Sequence, residues 1–233
     1  HSKWSTIKRQ KEATDAKRGA IFTKLGNQIA VAAKGGTDPD TNSTLALAIE
    51  KAKAANMPLA NIQRAIDRVK DKGSVALEEV VYEAYGPGGI GIIVEAATDN
   101  KNRTYPEVRT AITKNGGTMA DPGSVAFQFT RKGVIRVKAT GEDSLLTILD
   151  CGAEDAVEEE GEIIVYSQAN ELAKVRQAIK DSGLEIIDAE LQYVPNNTIE
   201  ITDPEVTRKV EKIMDVLDEL DDVSNVHSNF DII

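Results

Sequence analysis

The 233-residue chain carries 28 Lys and Arg against 38 Asp and Glu, which gives a formal net charge of −10. Hydrophobic residues make up 41% and charged residues 28%, a composition that excludes wholesale disorder. No apolar run approaches the roughly 20 residues that a membrane span needs, and residues 1–4 lead into no apolar stretch of a secretory signal. The single cysteine, Cys151, excludes an internal disulfide framework, so we expect a reducing, cytoplasmic compartment.

The distribution of charge reverses the impression made by the net value. Residues 1–73 hold 14 basic and 7 acidic side chains, whereas residues 74–233 hold 14 basic and 31 acidic ones. Within residues 1–34 the counts are 8 basic and 2 acidic. This split predicts a polyanion-binding arm joined to an acidic body, although a merely solvated helical face would show the same counts.

The first 73 residues predict three short helices. After the capping signal Thr14-Asp15, apolar residues recur at helical spacing until Gly35-Gly36 ends the run. Asp38-Pro39 has the pattern of a second helix start. Asn56-Met57-Pro58 then separates this helix from a third, which Gly73 closes. Short helices with small connections indicate a helical bundle.

From residue 74 onward, strand and helix patterns alternate. The predicted strands are Val80–Tyr85, Ile90–Ala97, Val125–Phe129, Val134–Val137, Ile163–Tyr166, Leu184–Tyr193 and Val223–Ile232. The predicted helices are Tyr105–Lys114, Ser144–Leu149, Glu171–Asp181 and Glu205–Leu220. No parallel-sheet pattern emerges, so we expect an α+β fold with two sheet modules, in which the final helix and strand pair back with the 80–130 unit.

Three blocks of residues carry a resemblance to a known family. They comprise His1-Ser2-Lys3-Trp4, Ile7-Lys8, Thr14–Gly19 and Phe22–Leu25; then Ala48–Pro58, Asn61-Ile62 and Arg64–Ile66; then Tyr85–Gly89, Glu95, Thr98–Asn100, Asn102–Thr104, Gly116-Gly117, Gly123–Ala126 and Lys132-Gly133. They cover most of residues 1–133 in order and resemble the YebC/PmpR family. Small departures are Ala20, Leu59 and Ala84, which stand where a lysine, a polar residue and a glycine are common.

The resemblance implies a fold, a set of domains and a function. It implies a basic helical domain (1–73), an α+β domain (74–131 plus 200–233) and a third α+β domain (132–199) inserted in the second. It implies a cytoplasmic DNA-binding transcriptional regulator. Some relatives, including mitochondrial ones, look instead like translation factors that act at the ribosome on RNA and aid synthesis of difficult, for example proline-rich, sequences.

The basic arm is the main candidate site. Its candidate nucleic-acid-binding residues are Lys3, Trp4, Lys8, Arg9, Lys11, Lys17, Arg18 and Lys24. Lysine and arginine attract phosphates in a salt-dependent way. Trp4 either stacks on an unpaired base or packs the arm onto the bundle. The possible partner contacts are Lys51, Lys53, Arg64 and Arg103, with Arg68 as a further extension of the patch. No recognition-helix signature names a base contact, so duplex DNA and structured RNA both stay open as targets.

Three segments admit a functional and a structural interpretation. Gly86-Pro87-Gly88-Gly89 lacks the Gly-Lys-Ser/Thr ending of a phosphate loop, so we expect a tight β-connection. The polar segment 99–103 either caps the following helix or binds a partner, and capping is the favoured interpretation. The run Glu158-Glu159-Glu160 lacks calcium-loop spacing and is expected to be a solvated turn.

The sequence offers little that indicates an enzyme. Its two histidines are His1 and His227, and His227 has no recognisable Ser or Cys partner motif. Cys151 is expected to be a small core residue, and the Cys and His count is too low for a structural zinc site. We therefore expect a non-catalytic protein without a metal or cofactor, whose partner is DNA or ribosomal or transfer RNA, with the ribosome itself as a possible partner.

Overall fold

The computed structural model describes residues 18–73 and 75–232. Its first part is a bundle of three helices, α1 (Arg18–Ala32), α2 (Ser43–Ala54) and α3 (Leu59–Asp67), with 3-10 turns at Ala33–Gly35 and Arg68–Lys70. The apolar spacing predicted from the sequence is what joins them, because Leu25, Ile29, Leu45, Ile62 and Ile66 are all buried in one cluster. The predicted three-helix domain is confirmed.

The predicted start of the second helix is wrong by several residues. The carbonyl of Asp38 accepts hydrogen bonds from the amides of Thr41 and Asn42, so Asp38-Pro39 lies in a turn. The true cap is Asn42, whose side chain accepts from the amide of Leu45. The third helix also ends earlier than predicted, at Asp67 rather than near Gly73.

The second domain is built on an antiparallel sheet whose strands come from two separate parts of the sequence, residues 78–119 and 223–228. It contains β1 (Glu78–Tyr85), β2 (Gly91–Thr98), β3 (Thr118–Met119) and β9 (Val223–Ser228), in the order β3-β1-β2-β9. Helices α4 (Lys101–Lys114) and α7 (Pro204–Glu219) bury their apolar stripes against this sheet. Fully buried Ile92, Ile112, Ile213 and Phe230 are part of that core.

The third domain has its own four-stranded sheet. It contains β4 (Phe129–Val137), β5 (Asp155–Glu159), β6 (Glu162–Gln168) and β7 (Ile186–Pro195), in the order β5-β6-β4-β7, with α5 (Glu142–Asp150) and α6 (Leu172–Asp181) beside it. Two short strands, β8 (Ile199–Ile201) and β10 (Phe230–Ile232), pair in parallel. The chain is thus α+β, with the third domain inserted in the second, and the bounds given to each domain stay a prediction.

Three predicted elements needed correction. The predicted strand Val125–Phe129 is wrong, because Ala126–Gln128 form a 3-10 turn and only Phe129 lies in a strand. Phe129 begins β4, which also contains the predicted strand Val134–Val137. The last predicted strand divides at Asn229 into β9 and β10, which belong to different sheets. The expected turn at 158–160 is wrong in part, because Glu158 and Glu159 end the edge strand β5 and only Glu160, with φ of 51°, turns the chain.

The 3-10 turn before β4 depends on one buried carboxylate. Glu83 accepts hydrogen bonds from the amides of Gly123, Val125 and Ala126 over 2.6–2.9 Å. Burial alone would raise the pKa of Glu83, but these three donors outweigh it and hold the pKa below its usual range. The turn is therefore fixed by a distant strand, which local sequence patterns do not reveal.

None of the helices within residues 18–73 and 75–232 combines the length and the apolar content that crossing a membrane requires.

Candidate nucleic-acid interface

Most of the predicted arm residues fall outside the described part of the chain. Lys3, Trp4, Lys8, Arg9, Lys11 and Lys17 lie there, and the description begins with the backbone of Arg18 at the start of α1. Lys24, one turn and a half further along α1, is described. Its ammonium group donates to the main-chain carbonyl of Asp218, near the end of α7. The role of these eight residues in binding stays a prediction.

Lysines of the helical domain attach it to the body at three places. Besides Lys24, Lys34 donates to the carbonyl of Leu77, just before β1. Lys51 forms an ion pair with Glu190 of β7. In the opposite sense, Glu50 on α2 pairs with Arg176 on α6. Lys51, predicted as a partner contact, therefore lies in an ion pair within the chain.

Other predicted cations of this domain remain at the surface. Lys53 and Arg64 are exposed on α2 and α3, and no ion pair joins either of them to another described residue. Arg68 is also exposed and donates to the side-chain oxygen of Asn27 over 3.0 Å. Lys53 lines a cleft of about 450 Å³ between α2 and the third domain, together with Lys180. Among the described residues, Lys53, Arg64 and Arg68 can therefore meet phosphates without first breaking an ion pair, whereas Lys180 pairs with Glu50.

Helix α3 follows α2 after a tight turn, but its outer face is poor in groups that read bases. Leu59 is 70% exposed there, and the amide of Gln63 donates to Asp67 over 3.0 Å. Specific readout uses bidentate Arg, Asn or Gln contacts to base edges. The exposed Arg64 and the half-buried Asn61 also carry such groups on this helix, and so few of them suit backbone contacts better than sequence readout.

The polar segment before α4 is a cap, as predicted. The side chain of Asn100 accepts from the amide of Arg103. The Arg103 guanidinium binds Asp222 and Asp99, with nitrogen–oxygen distances of 2.9 and 3.0 Å, and these carboxylates raise its pKa above the usual value. Thr104 also donates to Asp222 over 2.7 Å. Arg103 thus ties α4 to the segment before β9, and its predicted partner contact stays a prediction.

The glycine turn 86–89 is a β-connection, as predicted. It joins β1 to β2 and opens no helix beyond its own 3-10 turn. Gly88, with φ of 75°, lies so close to α7 that an added Cβ would stand 2.9 Å from Val206. A side chain there would therefore be both strained and crowded.

The sequence motifs missed a cluster of four side chains that joins the second and third domains. Glu95 of β2 bonds His227 of β9 over 2.7 Å and Arg131 of β4 over 3.0 Å. Arg131 lies over the ring of Tyr193 of β7, at 4.9 Å from its centre. Burial would raise the pKa of Glu95, but His227 and Arg131 outweigh it and hold the pKa low. Only the strand pairing brings these residues together.

The remaining candidate groups for catalysis or metal binding have structural surroundings. His227 is occupied by Glu95, and Cys151 packs against the core of the third domain. Burial, followed by the charge of Asp150, raises the pKa of the Cys151 thiol, which makes it a weaker nucleophile at neutral pH. No group of three or more His, Cys, Asp or Glu side chains suited to a metal ion occurs within the described residues.

Two family models match the chain from end to end. The N-terminal domain of TACO1/YebC proteins matches residues 2–72, and the second and third domain of TACO1/YebC matches residues 77–230. The chain belongs to the TACO1/YebC family, and the resemblance seen in the sequence is confirmed.

Relatives match over their full length. A probable transcriptional regulatory protein of Caldanaerobacter subterraneus is 49% identical, with all of this chain and 98% of the relative aligned. One from Desulfotalea psychrophila is 48% identical over all of this chain and 95% of its own. A crystal structure of a conserved hypothetical protein from Aquifex aeolicus superposes with a TM-score of 0.88 at 43% identity, over 94% of this chain and 92% of that one.

Proposed function

We propose that the chain is a non-catalytic, nucleic-acid-binding regulator that acts on DNA through its basic N-terminal domain. The observation that carries the proposal is the charge split: 8 basic and 2 acidic residues lie within 1–34, ahead of an acidic body. The names of the relatives, probable transcriptional regulatory proteins, support a regulatory role. A cytoplasmic location fits this proposal.

The described contacts support a basic arm that starts from a fixed platform. Arg18 begins α1, and Lys24 in the second turn of that helix holds the body at Asp218. Lys34 and Lys51 add two further attachments along the domain. A helical domain that is already attached to the body loses little further conformational entropy when the basic segment binds phosphates, and this favours affinity.

The test is charge reversal in the arm of the full chain. Lys8→Glu, Arg9→Glu and Lys17→Glu together should weaken binding to duplex DNA by at least about tenfold at low salt, because three phosphate contacts are lost and replaced by repulsion. The slope of log K against log salt should fall by roughly 3. Mobility-shift titrations at several salt concentrations measure both quantities.

The matched control reverses three exposed lysines of the acidic body, Lys138, Lys174 and Lys209. It makes the same change in net charge outside the basic N-terminal segment of the sequence. If control and arm variants bind DNA equally well, the proposal is wrong. Circular dichroism of each variant establishes that the chain is folded.

A second candidate is an RNA-binding factor that acts at the ribosome. The outer face of α3, with Leu59 exposed and Gln63 occupied by Asp67, favours it, because this face suits backbone contacts better than base readout of a duplex. Structured RNA can be held by such contacts together with unpaired bases.

A further inference from the structure

Helix α4 is a basic element within the acidic body. It carries four cations, Lys101, Arg103, Arg109 and Lys114, and one acid, Glu107. The chain from residue 74 onward holds more than twice as many acidic as basic residues. A helix with the opposite balance in such a body needs a reason beyond solubility.

Its outward cations are available for contact. Arg109 and Lys114 are exposed and form no ion pair with any other residue in the described parts of the chain. Lys101 does pair with Glu78 over 2.7 Å, but both side chains are more than half exposed. Pairs of that kind contribute little, so Lys101 can exchange its partner at small cost.

An aromatic ring lies between two of these cations. Lys101, Tyr105 and Arg109 are four residues apart, and therefore share one flank of the helix. The ring of Tyr105 is 44% exposed and lies 5.9 Å from that of Tyr82, which supports it from below. Cations on both sides of a supported, half-open ring suit a phosphate backbone and a base stacked on the ring.

The helix is held firmly in place. Asn100 caps its first turn, and Arg103 and Thr104 both bind Asp222. Its inner face, which includes Val108 and Ile112, is fully buried against the sheet. This helix can therefore present its flank to a partner but cannot leave the sheet to enter a major groove.

The cations continue across the joint between the helical and second domains. Lys34 donates to the carbonyl of Leu77. The pKa of the neighbouring Glu78 is lowered, first by the hydrogen bond from Lys101, then by the charge of Lys101, and least by the charge of Lys34. Arg68 lines the same small cleft as Lys34 and Leu77. We call the row Arg68, Lys34, Lys101, Tyr105 and Arg109 the joint strip.

We propose that the joint strip is a second nucleic-acid-binding surface, which takes a structured RNA with an unpaired stretch. The backbone lies along the cations, and one unpaired base stacks on Tyr105. The proposal rests on the nucleic-acid-binding part of the proposed function and goes beyond it, because the target assigned to this second surface is RNA and not the DNA assigned to the N-terminal domain. RNA is favoured over duplex DNA because the bases of a duplex are not free to stack on Tyr105.

The experiment uses the full chain with two probes, a hairpin RNA with an unpaired loop and a blunt DNA duplex. One variant reverses a charge on each side of the joint, Arg68→Glu with Arg109→Glu. Another is Tyr105→Leu. The control is Lys138→Glu with Lys174→Glu, which makes the same change in net charge on the third domain. Fluorescence anisotropy gives the Kd, and circular dichroism checks folding.

The strip variant should weaken hairpin binding at least about tenfold relative to the control and lower the salt slope by about 1 to 2. Tyr105→Leu should weaken hairpin binding about fivefold or more, without changing the slope, because it removes stacking and no charge. Its effect on the duplex should be under twofold. These results together support the proposal.

Other results overturn it. One such result is that the strip variant binds the hairpin as the control does, while the arm variant of Lys8, Arg9 and Lys17 loses binding. The assignment of the joint strip as a binding surface is then wrong, and the proposed function stands. If the strip variant weakens both probes and Tyr105→Leu weakens neither, the surface holds duplex backbone and the RNA assignment is wrong. If the wild-type chain binds neither probe at low salt, both proposals fail.

Discussion

Three lysines of the helical domain and two cations of helix α4 show two different uses of positive charge. The helical domain is rich in positive charge, yet Lys24, Lys34 and Lys51 bind groups of the body. Helix α4 lies in an acidic body, yet Arg109 and Lys114 are exposed without an ion pair in the described chain. The net charge of a segment therefore does not measure the charge that it offers to a partner.

The difference has a physical basis in what surrounds each cation. The three lysines lie between domains, where a carbonyl or carboxylate replaces lost water. On α4, Arg109 and Lys114 are exposed to solvent and need no such replacement. Charges that are engaged within the chain should therefore affect stability when removed, whereas free charges should affect binding.

The largest of the effects predicted here is expected at Glu95, whose side chain is 17% exposed and is engaged by two partners. Glu95→Ala leaves both His227 and Arg131 without their carboxylate partner. Loss of a largely buried charge partner should lower the free energy of unfolding by about 3 kcal/mol. Urea unfolding measures it. Glu79→Ala, on the exposed part of β1, is the control and should change stability by about 0.5 kcal/mol or less.

A smaller effect is expected from acid. The pKa of Glu95 is held below its usual range in the folded chain, so its contribution is complete above the unfolded pKa and is lost as pH falls through the folded pKa. Unfolding followed from pH 6 down to about pH 3 should show a progressive loss of the free energy of unfolding that this group contributes. Glu95→Gln should lack that part of the acid sensitivity, and an unchanged pH profile in this variant would contradict the assignment.

The smallest effect on stability is expected at Lys51, one of the three lysines of the helical domain that bind the body. Lys51→Met removes a partly exposed ion pair with Glu190, so it should cost about 1 kcal/mol or less. Hydrogen exchange should rise in α2, where the attachment loosens, while affinity for nucleic acid should stay within twofold. The matched comparison is Lys53→Met, which removes a lysine of the same helix that forms no ion pair with another described residue. A clear loss of binding in Lys51→Met alone would show that this lysine also meets the ligand.

Local sequence patterns predicted much of the fold because local rules govern those parts. Apolar spacing located α1, and Pro58 marked the break before α3, since a proline after a turn starts a helix well. Errors arose where two local signals competed. Asp38 and Asn42 are both good caps, and the packing of Leu45 selects Asn42.

The candidate sites were less predictable than the fold because they depend on pairing between distant segments. Glu95 and Arg131 are 36 residues apart and meet through two different sheets. The flank of α4 did leave a signal, the four-residue spacing of Lys101, Tyr105 and Arg109. That signal was hidden because the helix was predicted to begin at Tyr105, which excluded Lys101 and Arg103.

The pairing of β9 with β2 has a consequence for the order in which the chain folds during its synthesis. Residues 129–195 contain all four strands of the third-domain sheet, whereas the sheet of the second domain lacks β9 until residues 223–228 have emerged. Domains generally fold as units during synthesis. The inserted domain should therefore fold before β9 has been synthesised and the sheet of the second domain can be completed. Since Asp222 anchors α4, the flank of this helix becomes a defined surface only after residue 222 has been translated.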